Sequence, residues 1–264
     1  MTVPNHTPES SPTTQPADTE ATGGTARDSG RPRLLDLCGC EGGAAVGYIR
    51  VGWHVTSVDL DAAALKRNLA DEKVQADALA YLAEHGREYD AIHASFPCQR
   101  WTANGANPAA SKYPDLITPG RELLNATGLP WVMENVGKAP LRRDLILCGT
   151  MFGLTTTDDD GTTLHLKRHR VFESNVPLTA PRPCAHPAGV QWAGVYGGAR
   201  KDKHEARHVR KGGYVPADAA IQSALLGGVP WMTGKGRREC IPPVYAEHVG
   251  AQLLAHVNAS EEAA

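Results

Sequence analysis

The chain has 264 residues, of which 41% are hydrophobic and 21% charged. That suffices for a sizeable folded core and excludes a fibrous or wholly disordered chain. No apolar run reaches the roughly 20 residues that span a bilayer. The N-terminus also lacks the basic-then-apolar order of a secretory signal, so a cytoplasmic protein with no membrane partner is expected. The six cysteines are scattered with no C-x-x-C pair, which favours reduced thiols over a disulfide framework.

The net charge of −2 conceals an uneven distribution. Between His165 and Tyr245 stand thirteen Lys or Arg and five acids, a net of +8, leaving −10 elsewhere. Such a split suits a C-terminal part that meets a polyanion.

Residues 1–32 are rich in Thr, Ser, Pro, Asp, Glu and Gly and read as a disordered tail. A first strand is expected over 34–37, followed by the glycine-dense turn 39–43 and a helix over 44–50. A second strand spans 54–58 and ends in Asp59-Leu60-Asp61, with a helix over 62–69. A short strand over 74–76 leads to Asp77 and a helix over 78–85. The strand 90–95 runs into Pro97-Cys98. A helix over 119–127, a strand over 131–133 and another over 145–147 follow. Residues 155–163 read as a surface loop, 174–217 as a loop-rich module, and 219–226 and 245–257 as helices. Strands alternating with helices at this spacing predict an α/β fold, a parallel sheet with helices on both faces. The ligand of such a sheet sits at the carboxyl ends of its strands. Asp36 and Gly39, Asp59, Asp77, Cys98 and Glu134 all fall there, and five polar features on one rim are the strongest pattern in the chain.

Each of these has chemistry to offer. Glycines after a first strand let a ligand approach the backbone, and the next helix adds positive partial charge. Asp59 can accept from a ribose diol and Asp77 can meet an adenine amino group, or both can cap helices. Most cysteines are small hydrophobes, but Cys98 is followed by Gln99-Arg100-Trp101-Thr102, where Arg100 or nearby dipoles would favour a thiolate. Glu134 can protonate a heterocycle. In Arg168-His169-Arg170, a strand would put both arginines on one face, suited to a phosphate or a base carbonyl. Cys184-x-His186, with His204 and His208, has zinc-ligand types but the spacing of no common zinc module, so no metal is expected.

Asp36-Leu37-Cys38-Gly39-Cys40-Glu41-Gly42-Gly43, Phe96-Pro97-Cys98-Gln99, Glu134-Asn135-Val136 and Lys167-Arg168-His169-Arg170 resemble, in order and spacing, the motifs of cytosine-5 DNA methyltransferases. The resemblance covers about residues 33–257, and Ile241-Pro242-Pro243-Val244-Tyr245 is similar to the compact phage and actinobacterial branch. It implies a Rossmann-like S-adenosylmethionine-dependent methyltransferase sheet over 33–173, a target-recognition module over 174–217, and a segment over 218–264 that completes the catalytic domain. It implies S-adenosylmethionine as cofactor, bound by Asp36, Cys38, Gly39, Gly42, Gly43, Asp59, Leu60, Asp77, Ala78 and Pro97. Cys98 would add to C6 of a flipped cytosine, Glu134 would engage N3, and Arg170 with Arg168 the O2 side. Gln99, Arg100, Thr102, Asn135, Arg200, Lys201 and Lys203 would contact double-stranded DNA. A monomer, with a cognate restriction endonuclease as a partner to look for, completes the expectation. In two places the chain departs from the family: Cys38-Gly39-Cys40 stands where Phe-Cys-Gly is usual, and Leu166 replaces a glutamine. A non-catalytic DNA binder of the same fold and a tRNA methyltransferase are the alternative readings.

Overall fold

The computed structural model of the protein describes residues 30–101, 113–196 and 214–262. Of the expected tail, residues 1–29 lie outside the described residues. Arg31 is held in the fold by Trp53 O at 2.9 Å and by Asp71. No helix of the described residues is long and apolar enough to cross a membrane.

The main sheet is built from β1 (Arg33–Leu37), β2 (His54–Asp59), β3 (Glu72–Gln75), β4 (Ala91–Ala94), β5 (Trp131–Asn135), β6 (Leu145–Leu147) and β9 (Arg170–Ser174). Their order is β3-β2-β1-β4-β5-β9-β6. Strands β1 to β5 run parallel, and β9 is antiparallel to both of its neighbours. The order reverses between β1 and β4, which is where an open α/β sheet leaves a crevice for a ligand. The α/β class and the helix-flanked sheet are those expected from the sequence.

Both faces are covered, so the strands are buried on both sides and alternate residues feed separate cores. Leu34, Val55, Val132 and Phe172 pack on Tyr48 of α1 (Gly43–Arg50) and on Tyr245, Val249 and Leu253 of α7 (Pro243–Glu262). Leu35, Leu37, Ile92 and Met133 pack on Leu82 of α3 (Ala78–His85) and Leu124 of α4 (Ile117–Thr127). The α1–α7 contact needs a glycine: a Cβ on Gly47 would stand 2.2 Å from Pro243 O.

A second, three-stranded sheet has the order β10-β8-β7, from β7 (Thr155–Thr157), β8 (Thr163–Leu166) and β10 (Gln191–Ala193). Leu164, Leu166 and Ala193 form a core there with Leu225 and Leu226, at the end of α5 (Ala219–Leu225).

Three expectations are corrected. The surface loop expected over 155–163 is a β-hairpin: β7 and β8 pair antiparallel around a turn closed by Asp158 N to Thr162 O at 2.9 Å. Its threonines are β-branched and suit a strand, a preference masked by the Asp-Asp-Asp-Gly tip. The helix expected over 62–69 is α2, Ala62–Leu65. It stops because Asn68 turns inward, where Nδ2 donates to Ser57 Oγ (2.8 Å) and Cys40 O (3.0 Å). Finally, β9 begins at Arg170, so Arg168 and Arg170 do not share one strand face.

Candidate active site

A cleft of about 210 Å³ opens at the carboxyl ends of β1, β2, β4 and β5. Asp36, Cys38, Gly39, Gly43, Asp59, Pro97, Cys98, Gln99, Glu134, Asn135 and Arg170 line it together. These residues span most of the chain, and the parallel strands bring them to one edge. Gly42, Leu60, Asp77, Ala78, Arg100 and Arg168 are not among its lining. Thr102, Arg200, Lys201 and Lys203 lie outside the described residues.

At one end is the glycine turn. Asp36 is fully buried on β1, paired in register with Ser57 and His93 of the flanking strands. Ser57 Oγ donates to Asp36 Oδ2 at 3.2 Å, while Asp36 Oδ1 is buried without a hydrogen-bond partner. Burial pushes the Asp36 carboxyl up to about 7. Cys38 (φ 59°) and Cys40 (φ 47°) both take the left-handed conformation that favours glycine. Gly39 between them has no room for a side chain, because its Cβ would stand 1.9 Å from Ser57 Oγ. Gly42 (φ 84°) precedes helix α1 as its N-cap and brings no side-chain cap, and Gly43 and Ala44 of the first turn line the cleft. Such a terminus suits a carboxylate or another anion.

Asp59 Oδ2 accepts from Cys40 N at 2.9 Å and Oδ1 from Asp61 N at 2.8 Å. It therefore braces the turn, and each oxygen keeps lone-pair capacity for a ligand hydroxyl. Asp77 caps α3, accepting from Leu79 N and Ala80 N at 3.0 and 2.9 Å. Asp77 thus takes the capping role considered for it, whereas α2 is capped by Asp61 and not by Asp59.

At the other end stand Cys98, Glu134 and Arg170. Cys98 follows β4 and precedes a single 3₁₀ turn, Gln99–Trp101. Its thiol is raised, chiefly by burial and further by Glu134, while Arg170 and Arg168 pull it down. Arg170 and Arg168 thus lower it, whereas the sequence points to Arg100 or nearby dipoles. The Arg100 guanidinium donates to Tyr113 O at 2.9 Å and stacks over the Trp101 ring. Arg170 Nε lies 3.0 Å from Glu134 Oε1, and burial holds the Glu134 carboxyl above its usual range despite that cation.

Arg168 is fully buried, and its guanidinium donates to Val195 O (3.0 Å), Arg238 O (2.6 Å) and Cys240 O (2.7 Å). It ties the small sheet to the C-terminal segment and reaches the cleft only through its charge. Asn135 likewise turns to backbone: Nδ2 donates to Phe96 O at 2.8 Å, and Oδ1 accepts from Val136 N at 2.9 Å. It fixes the loop that carries Cys98.

Three groups went unnoticed in the sequence. Behind Glu134 runs a buried hydrogen-bond chain: Tyr48 hydroxyl to His93 Nδ1 (2.8 Å), His93 Nε2 to Ser95 Oγ (2.7 Å), and Ser95 Oγ to Glu134 Oε2 (3.2 Å). Burial lowers His93 to about 3, so the ring is neutral. With Ser95 donating to Glu134, Nε2 carries the proton and Nδ1 accepts from Tyr48. Glu41 is also buried, its carboxylate accepting from Thr233 N and Oγ1 at the start of α6 (Gly234–Glu239). That contact brings Lys235, Glu239 and Cys240 to the cleft wall. The Gly-Lys-Gly-Arg-Arg-Glu stretch of α6 has no apolar periodicity, so nothing local announced it.

No protein-family model matches the chain, and no curated protein matches it in sequence. Solved structures do resemble it. A protein described as a DNA modification methyltransferase encoded within an E. coli prophage aligns over 86% of this chain and 99% of its own, at 12% identity and a TM-score of 0.51. S. pombe Dnmt2 methyltransferase aligns over the same shares at 10% identity and a TM-score of 0.48. The Entamoeba histolytica methyltransferase EhMeth does so at 11% and 0.48. With the strand order above, the prophage protein's likeness shows that the two chains share this α/β fold.

Proposed function

We propose that the protein is a DNA cytosine-5 methyltransferase that uses S-adenosylmethionine. The observation that carries this reading is the meeting of Cys98, Glu134 and Arg170 in one cleft with the Asp36–Ala44 turn.

The turn end fits the donor on two counts. Asp36 offers an unpartnered buried carboxylate oxygen to a cation, and α1 offers an uncapped N-terminus to a carboxylate. Asp59 is the group for ribose hydroxyls, with Cys38, Gly42, Gly43, Leu60, Asp77, Ala78 and Pro97 as further contacts. When bound, S-adenosylmethionine supplies an electrophilic methyl group on a positively charged sulfur.

The other end serves the base. Duplex stacking hides C6, so the cytosine must be flipped into the cleft. Cys98 loses its proton to solvent as its sulfur bonds to C6, helped by Arg170. The C5–C6 electron pair would then become available at C5 to take the methyl group, with the methyl–sulfur bonding pair staying on the donor's sulfur. Glu134 donates a proton to N3 as charge builds there, and its raised carboxyl favours the protonated form this requires. Arg170 faces O2. Loss of the C5 proton to water re-forms the C5–C6 double bond as the C6–S bond breaks and its pair leaves on Cys98; the N3 proton returns to Glu134 and the thiolate is reprotonated from solvent. The excess of positive charge between His165 and Tyr245 supports a nucleic-acid partner.

Bisulfite sequencing of DNA from cells expressing the wild type or Cys98→Ala tests the reading. Protected cytosines in one short motif, absent in the variant, are expected. Identical patterns in the two would refute it. Methyl incorporation into tRNA but not duplex DNA would move the substrate to RNA.

A further inference from the structure

Away from the cleft, four side chains converge from three separate stretches of chain. Cys148 follows β6, His169 precedes β9, and Cys184 and His186 lie between β9 and β10. One sulfur or ring nitrogen from each lies within 4.8 Å of all the others. Cys184 Sγ is 3.0 Å from His186 Nε2 and 3.4 Å from His169 Nε2, and Cys148 Sγ is 3.3 Å from His186 Nε2.

These separations resemble the edges of a coordination tetrahedron. Zinc bonds of about 2.3 Å to sulfur and about 2.0–2.1 Å to nitrogen place neighbouring ligand atoms about 3.3–3.8 Å apart. Two of the three sulfur–nitrogen distances, 3.3 and 3.4 Å, fall in that range and the third, 3.0 Å, is slightly shorter. Two thiols with two imidazoles form a common donor set of structural zinc.

Burial does not explain the cluster. Cys148 is buried, but Cys184 and His186 are exposed, where solvent would satisfy either group. Pairwise sulfur–imidazole hydrogen bonds would not require all four groups to gather at one point. Thr150 Oγ1 donates to Cys148 Sγ at 3.4 Å and stands 3.6 Å from Cys184 Sγ, an outer contact suited to a metal-bound thiolate.

The surrounding chain has use for a fastener. No helix or strand lies between Ser174 and Gln191, and residues 179–189 are exposed. Asn175 is bonded to Trp131 and Leu129, and Val176 and Leu178 pack on the core, but beyond them the segment's other ties are Arg182 to Met151 O and Thr179 to His248 and Gln252 of α7.

We propose that Cys148, His169, Cys184 and His186 bind one zinc ion, which fastens the segment between β9 and β10 to the edge of the main sheet. Four protein donors close the coordination shell, so the ion is structural and holds no substrate. His169 couples it to the cleft, because its carbonyl accepts from Arg170 Nη1 at 2.9 Å. The ion thus steadies the backbone from which Arg170 reaches Glu134. The sequence missed the set because half of the ligands are supplied by the sheet edge, and Cys184-x-His186 pointed instead to His204 and His208, outside the described residues.

The test uses the full chain, reduced, loaded with zinc salt and dialysed against metal-free buffer. Elemental analysis should give one zinc per chain. Cys184→Ser and His186→Ala, both at exposed positions, should lose it while keeping the wild-type circular dichroism spectrum. Asp159→Asn, in an unrelated acidic turn, should keep it. Cobalt in place of zinc should give the intense visible absorption of a tetrahedral site with sulfur ligands. Zinc should also protect Cys184 from alkylation until a chelator is added. Wild type without retained zinc, an octahedral cobalt spectrum, or equal Cys184 alkylation with and without zinc would each overturn the proposal, even if a variant failed to fold.

Discussion

The two ends of the cleft hold their polar groups in different ways. At the turn end, Asp59 is braced by two backbone N–H groups, Asp36 keeps one oxygen unpartnered, and two cysteines sit at positive φ. At the Cys98 end, charge meets charge in a buried setting, Arg170 against Glu134, with Tyr48, His93 and Ser95 hydrogen-bonded behind. A site that must admit a small donor keeps its hydrogen-bonding capacity open. A site that must time proton transfers fixes its groups through neighbours, because a half-satisfied buried network is costly. Changes at the turn end should therefore act on donor affinity, and changes at the other end on turnover.

The largest effect falls on Cys98. Cys98→Ala should reduce methyl transfer to background in a tritium-incorporation assay, with donor affinity by calorimetry unchanged. A matching loss of donor binding would erase the distinction between the ends. Next is Glu134→Gln, which should lower kcat by about 10²–10⁴-fold with donor affinity intact. His93→Phe comes third. It removes the partner of Tyr48 and of Ser95, and unfolding in urea should show a loss of about 1–3 kcal/mol.

At the turn end the expected effects are smaller. The Asp36 carboxyl is raised to about 7, far above its ordinary value of 3.8. Between those values the folded state binds more protons than the unfolded state, so the stability Asp36 contributes is present below about pH 4 and is lost as pH rises to about 7. Asp36→Asn should therefore flatten the pH dependence of Tm across this window by a few degrees. A cationic donor favours the ionised carboxylate, so its affinity should rise with pH through neutrality in the wild type but not in the variant. The smallest change is Cys40→Gly, which relieves a left-handed cysteine and should stabilise the protein by up to about 1 kcal/mol in thermal unfolding.

The same contrast governs what the sequence could reveal. The parallel strands were legible because runs such as Leu34–Leu37 and Trp131–Met133 are apolar and end in turn residues, and the rim residues follow from where those strands stop. Asp36, Asp59, Cys98 and Glu134 could be placed in that way. Arg168 and Asn135 could not, since their types are the same whether they face a ligand or a carbonyl, and only the fold shows backbone as their partner. Glu41 finds Thr233 across 192 positions, and His93 shows no sign in the sequence of its contact with Tyr48. The β7–β8 hairpin was hidden by its acidic tip. Such pairings arise from packing, not from local pattern.

The central claim is that Cys98 forms a covalent bond to C6 of cytosine. It is tested most directly with DNA containing 5-fluorocytosine, where fluorine at C5 leaves no proton to lose and the enzyme cannot depart. Incubated with S-adenosylmethionine, the wild type should give a protein–DNA complex that survives denaturing electrophoresis, with the DNA attached to the Cys98 peptide. A complex of equal yield from Cys98→Ala, or methyl transfer by the wild type with no trapped complex, would contradict the account.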